Sequence, residues 1–154
     1  MNRTIIATMI DPRARTIKPW VLHLNSDGSA YKALVDAVFR YSKRRGCIEC
    51  VPVGAGHDMY IDGEGVFVPW DEQGFFKLGN QTFAGVAVIV SKTSDWRIDH
   101  CMLPLEMIAN NVQWLDARDV RIPAPVMQTM RPDGTIETVY LAGCREWTYD
   151  NQPR

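Results

Sequence analysis

The chain has no surplus of charge, no long hydrophobic run, few histidines and no cysteine framework, and each shortage excludes a class of function. Its 154 residues set 17 Lys and Arg against 18 Asp and Glu, a formal net charge of −1. Strong non-specific phosphate binding needs positive charge concentrated on one face. Nucleic acid is therefore not the expected partner, and a mimic of DNA would need the opposite extreme. The longest apolar run, Phe83–Val90, is far short of the ~18 residues that cross a bilayer. No membrane association is expected.

Four cysteines without a disulfide-type spacing, and a start that reads as a strand and not as a signal peptide, point to a reducing cytoplasm. Catalytic motifs are missing as well. There is no Gly-x-Ser-x-Gly elbow, no His-Glu-x-x-His, and no Lys-Ser/Thr after Gly54-x-Gly56 to make a phosphate loop. No cofactor is expected.

What is present is ordinary globular material, with 46% apolar and 23% charged residues. Arg3–Ile10 is rich in β-branched residues, Asp11–Ala14 makes a turn, and Arg15–Leu24 returns as a strand. Pro19 lacks a donor and confines that strand to an edge or bulge. Within Ala30–Arg44, the spacing of Tyr31, Leu34, Val35, Val38 and Phe39 predicts a long amphipathic helix. Lys43, Arg44 and Arg45 fall in its last turn, and Gly46 stops it. Short runs with period two follow over 47–70, then Phe83–Ser91 as one strand buried on both faces. Pro104 opens a short second helix, and Pro132-Asp133-Gly134 turns a terminal hairpin.

The expected fold is α+β: a mainly antiparallel sheet with one long amphipathic helix packed on a face, a short second helix and a C-terminal β-hairpin. Residues 1–120 form the body. Residues 121–149 form a hairpin appendage, packed on the body or on a second subunit, and 150–154 a flexible tail.

Cys47-Ile48-Glu49-Cys50 has the Cys-x-x-Cys spacing of zinc and redox sites. In a strand, however, positions i and i+3 face opposite sides, so structural cysteines are the stronger reading and a metal the weaker. His57, Asp58, Asp62, Glu64, Asp71 and Glu72 read as a solvated loop face. Asp99-His100-Cys101 holds the residue types of a thiol nucleophile and its base, but adjacent side chains in extended chain diverge. Arg13, Arg15, Lys43, Arg44 and Arg45, with Trp20 and Tyr41, supply cations and aromatic rings suited to a phosphate-bearing ligand or an acidic protein face. Trp96 and Arg97 add a second candidate partner surface.

Three stretches, read together, carry a family pattern. They are Ile10-Asp11-Pro12-Arg13-Ala14-Arg15-Thr16, then Tyr60-Ile61-Asp62-Gly63-Glu64-Gly65, then Ala84-Gly85-Val86-Ala87-Val88-Ile89. Their order resembles small uncharacterised proteins of phages and mobile elements, over residues 4–91. The shared residues are turns, glycines and strands, so no catalytic residue transfers. Gly63 stands where those proteins lead one to expect another acidic residue, which weakens any metal reading.

The resemblance implies a phage accessory protein acting inside a bacterial host. The first expectation is a non-enzymatic protein that binds and inhibits a host defence component, with homo-oligomerisation as an added feature. A small-nucleotide-binding protein is the alternative. A hydrolase-type enzyme using His57, Asp58 or Cys101 ranks third.

Overall fold

The computed structural model describes residues 3–140 and 143–152. Strands make up 43% of the described residues and helices, 3₁₀ turns included, 16%. The expected α+β body around one long helix is therefore corrected: the protein is mostly β, with several antiparallel sheets and two short helices.

The main sheet has the order β2-β1-β7-β4-β3, built from β1 (Thr4–Asp11), β2 (Thr16–His23), β3 (Ile48–Gly54), β4 (His57–Asp62) and β7 (Ala87–Lys92). The β1–β2 hairpin keeps one register from Thr4↔His23 to Asp11↔Thr16. Pro19 lies on β2, which is an edge, so its missing N–H costs no ladder bond. Alternation along β1 sends Ile5, Ala7 and Met9 to one side of the sheet and Ile10 to the other. Both faces are covered. The short β8 (Ile98–Asp99) pairs with the end of β7.

On the first face lies α1 (Tyr31–Val38), which buries Leu34, Val35, Ala37 and Val38 against Leu22, Val88 and Val90. Fully burying such a side chain contributes roughly 1.5–3 kcal/mol. The helix has eight residues and ends well before the cations that were expected in its last turn. Two local causes stop it. Arg40 N–H bonds to Ala37 O at 3.4 Å, an i→i−3 tightening, while the Arg40 and Tyr41 side chains turn back to Asp11 on β1. Arg45 then supplies the terminal donors: its Nη1 reaches Phe39 O at 3.3 Å and Ser42 O at 2.9 Å.

The second face is covered by a three-stranded sheet, β5 (Phe75–Leu78) between β6 (Gln81–Ala84) and β9 (Val112–Leu115), together with α2 (Leu105–Asn111). The single buried strand expected over Phe83–Ser91 is in fact two. Gly85, at φ +85°, breaks it, so Phe83 serves the small sheet and Val88 the large one. The strand expected at Val66–Trp70 is instead two short 3₁₀ turns, Gly65–Phe67 and Trp70–Glu72, separated by Pro69.

A third cluster, with Trp70, Phe75, Val120 and Trp147, ties down the chain after β9. There β10 (Ile122–Pro123) pairs with β13 (Glu146–Trp147). Of the tail expected to be flexible, Pro153 and Arg154 lie outside the described residues. Gln152 is buried, its Oε1 accepting the Trp70 N–H at 2.7 Å. Between β10 and β13 rises the hairpin β11 (Val126–Met130) and β12 (Ile136–Tyr140), in regular register from Val126↔Tyr140 to Met130↔Ile136.

Candidate functional site

The richest polar construction surrounds Asp11, the last residue of β1 and fully buried. Its position after a β-branched strand and before Pro12 makes an Asx turn. Oδ1 accepts the N–H groups of Arg13 and Ala14, each at 3.1 Å. Oδ2 accepts the Tyr41 hydroxyl at 2.5 Å and lies 3.6 Å from Arg40 Nη1. The hydrogen bond to Asp11 raises the Tyr41 pKa, because ionising the phenol would set two anions face to face.

From this hub runs an alternating column of cations and rings. Lys18 Nζ lies 5.6 Å from the Trp20 ring centre, and the Arg40 guanidinium 4.7 Å from it. The same guanidinium is 4.9 Å from the Tyr41 ring, with Arg13 also at 4.9 Å. Three cations meet two rings, and of the three Arg40 alone pairs with a described carboxylate. The column keeps excess positive charge, held in place by ring quadrupoles.

Beside it opens a cleft of about 410 Å³, whose lining includes Arg13, Tyr41, Arg44, Asp62, Asp71 and Glu72. Backbone packing sets its floor. A Cβ on Gly74 would stand 2.5 Å from Pro12 C, and the Gly85 N–H bonds Gly74 O at 2.9 Å. The Gln73 amide nitrogen is committed, Nε2 donating to Gly65 O at 2.6 Å and Val68 O at 3.2 Å. Asp71 accepts from Tyr149 at 2.6 Å.

The structure divides the basic residues singled out in the sequence. Arg13 and Trp20 belong to the column. Arg44 is spent on Asp62 and on Glu64, the latter at 3.2 Å. Arg45 caps α1 and lies 3.8 Å from Asp36. Arg15, at φ 54°, and Lys43 are exposed and outside the column. Trp96 stands apart, 78% exposed at φ 66°, with Lys92 Nζ 4.8 Å from its ring. Its neighbour Arg97 pairs with Asp95 at 3.3 Å.

The groups considered for catalysis do not converge. His57 and Asp58 are successive residues of β4 and point to opposite faces. The His57 ring accepts the Met102 N–H on Nε2 at 2.9 Å and places Nδ1 2.8 Å from Ala55 O, so both ring nitrogens are engaged by backbone and none is left for substrate. Asp58 is buried against Lys92 Nζ at 2.7 Å. The sulfur of Cys101 bonds Leu103 O at 4.0 Å. Cys47 precedes β3, and Cys50 lies opposite Tyr60 in the ladder. Desolvation and the hydrogen bond to Asp58 push the Cys50 thiol pKa up, away from the thiolate that metals and electrophiles need. Among the described residues no three His, Cys, Asp or Glu side chains are placed to hold a metal.

Sequence reasoning missed Asp11 and Arg40 as the centre of the cluster. Asp-Pro after a β-branched run was the available signal for the Asx turn. Nothing in the sequence signalled that Arg40 would leave the helix. It also missed the display of β11 and β12. All five residues of β11 and four of the five in β12 are exposed, including Val126, Met127, Met130, Ile136 and Val139. No helix of the described residues is long and apolar enough to cross a membrane. No protein-family model, curated protein or solved structure matches the chain.

Proposed function

We propose that the protein works by binding and not by catalysis, docking through the β11–β12 hairpin onto a bacterial host protein and inhibiting it as a phage-type accessory factor. The observation that supports this reading is the hairpin's apolar display. Met130 is 75% and Ile136 63% exposed, at the end farthest from the β10–β13 base. An isolated two-stranded hairpin is marginally stable in water. One that also exposes five large apolar side chains has the composition of an interface core waiting for its partner.

The strand edges favour the same reading. β11 reads Val-Met-Gln-Thr-Met, without a charge or a proline to block pairing with another strand. The one charge in β12, Glu137, is neutralised by Arg131 through contacts of 3.2 and 3.3 Å. That leaves a neutral, apolar blade suited to strand addition or to insertion in a groove. The identity of the partner as a defence component comes from the resemblance over residues 4–91, and the docking surface lies outside that stretch.

The test is affinity capture of partners from bacterial lysate with the intact chain and with a Met130→Lys, Ile136→Lys double variant, followed by gel filtration. One stoichiometric host protein, retained by the intact chain and lost by the variant, is the expected result. A monomer that captures nothing, or capture indifferent to the variant, overturns the reading. A second copy of the chain on the hairpin, seen as a dimer that the variant dissolves, would replace the host protein as its occupant.

A further inference from the structure

The cleft beside Asp11 stands apart from the hairpin and has the charge layout of a small-molecule site. Its volume of about 410 Å³ falls within the range of ligand pockets, ~300–1,000 Å³. Its lining carries both signs: Arg13 and Arg44 with Asp62, Asp71 and Glu72, of which Arg44 and Asp62 pair with each other. The Arg13 guanidinium is held over the Tyr41 ring at 4.9 Å, and forms no ion pair with any described carboxylate. A guanidinium held by its face keeps its N–H edge free for an oxyanion. The lining also holds the Asp71 and Glu72 carboxylates, acceptors suited to hydroxyl groups and exocyclic amines. Neither forms an ion pair with Arg13 or Arg44.

The cleft is preformed. Gly74 packs backbone to backbone against Pro12, and the Asx turn of Asp11 fixes the path of Arg13. Such an arrangement loses little freedom when a ligand arrives. The excess charge of the Lys18–Trp20–Arg40–Tyr41–Arg13 column adds attraction for an anion at the Arg13 end.

From these observations we infer that the cleft binds a phosphorylated, hydroxyl-bearing small molecule of nucleoside monophosphate size, its phosphate on Arg13 and its sugar or base toward Glu72. Each half alone engages one kind of group. Inorganic phosphate reaches Arg13 without Glu72, and adenosine reaches the acids without Arg13. A ligand carrying both is bound more tightly than either.

Calorimetric titration of the full chain with AMP, ribose 5-phosphate, adenosine and inorganic phosphate tests this. AMP is expected to bind at least tenfold tighter than adenosine or phosphate. Ribose 5-phosphate matching AMP would assign the acidic residues to sugar hydroxyls, and a clear loss would assign them to the base. Arg13→Ala, at an exposed side chain, should weaken AMP at least tenfold while leaving adenosine unchanged. Glu72→Gln should weaken AMP and adenosine together and spare phosphate. Circular dichroism confirms that both variants fold. Absence of AMP binding at millimolar concentration, or binding unchanged in Arg13→Ala, overturns the assignment. Neither result bears on the hairpin, because the probe, variants and readout are separate.

Discussion

Two regions of this chain handle polar and apolar groups in opposite ways. Around Asp11 a carboxylate is taken fully out of water, where it accepts hydrogen bonds from the turn and from Tyr41 and has the Arg40 cation 3.6 Å away. In β11–β12 apolar side chains are left in water with nothing laid over them. The first region is closed and self-sufficient. The second is stable only to the extent that its ladder and base hold it. Buried polar groups without partners are costly, so the closed region tolerates little change. An exposed blade has few contacts to lose, so it is free to be shaped by a partner.

The sharpest way to break this contrast is Asp11→Ala. It strands the Arg13 and Ala14 N–H groups, the Tyr41 hydroxyl and the Arg40 cation around a void. A loss of about 3–5 kcal/mol in urea unfolding is expected, as for other buried charges deprived of a partner. Asp11→Asn keeps an acceptor for the turn but offers an amide to Tyr41 and Arg40, so its loss should be smaller. Equal losses for the two variants would show that the hub is held by shape and not by charge.

His57→Ala comes next. The imidazole joins the β3–β4 turn at Ala55 to the chain at Met102. Its removal leaves the Met102 N–H without an acceptor, a cost of roughly 1–3 kcal/mol. The effect should be local, seen as faster amide exchange at Met102 before global unfolding. Uniform exchange across the chain would deny His57 that linking role.

Alkaline pH offers a third, smaller probe. Burial, and then the neighbouring Cys50, push the Tyr60 pKa up to about 12 from the usual 10.0. Above pH 10 the unfolded chain releases this proton while the folded chain holds it. Stability should therefore be complete below pH 10 and fall as pH rises toward 12. Because Tyr60 is half-buried, solvent screening reduces the effect to ~1–2 kcal/mol. Tyr60→Phe should flatten this part of the profile. An unchanged slope in that variant would place the titration elsewhere, with Tyr41, raised in the same direction by Asp11, as the next group to replace.

How much of this was legible in the sequence differs between the same two regions. Period-two patterning and turn residues located β1, β2, β4 and the terminal hairpin, because each is decided by neighbours in the chain. The helix was read too long, since its stripe continues to Phe39 while the event that ends it is a contact with Asp11, 30 residues away for Tyr41. The break at Gly85 was missed for a related reason. A glycine inside an apolar run does not announce that the two halves join different sheets. At the site, residue types were visible but pairing was not: Arg44 and Arg45 look like Arg13 in sequence, yet Arg44 is neutralised, Arg45 caps the helix, and Arg13 lies over the Tyr41 ring. Exposure of the hairpin was beyond reach, because Val126, Met127 and Ile136 have the composition of a buried strand.

The smallest expected effect tests the open side of the comparison. Ile136→Lys replaces an apolar side chain that is 63% exposed with one that reaches solvent easily. If the blade stands free, stability in urea should change by less than about 0.5 kcal/mol, as at most surface positions. The substitution should even improve solubility by placing a charge on an edge that has few. A loss above 1.5 kcal/mol would mean that Ile136 is already buried in solution, by the body or by a second copy. Dilution separates these two cases, since only burial by a second copy weakens as the protein is diluted. A near-zero change in stability combined with loss of partner capture is the pairing expected of a surface kept apolar for binding, because the same residue would then matter only when something covers it.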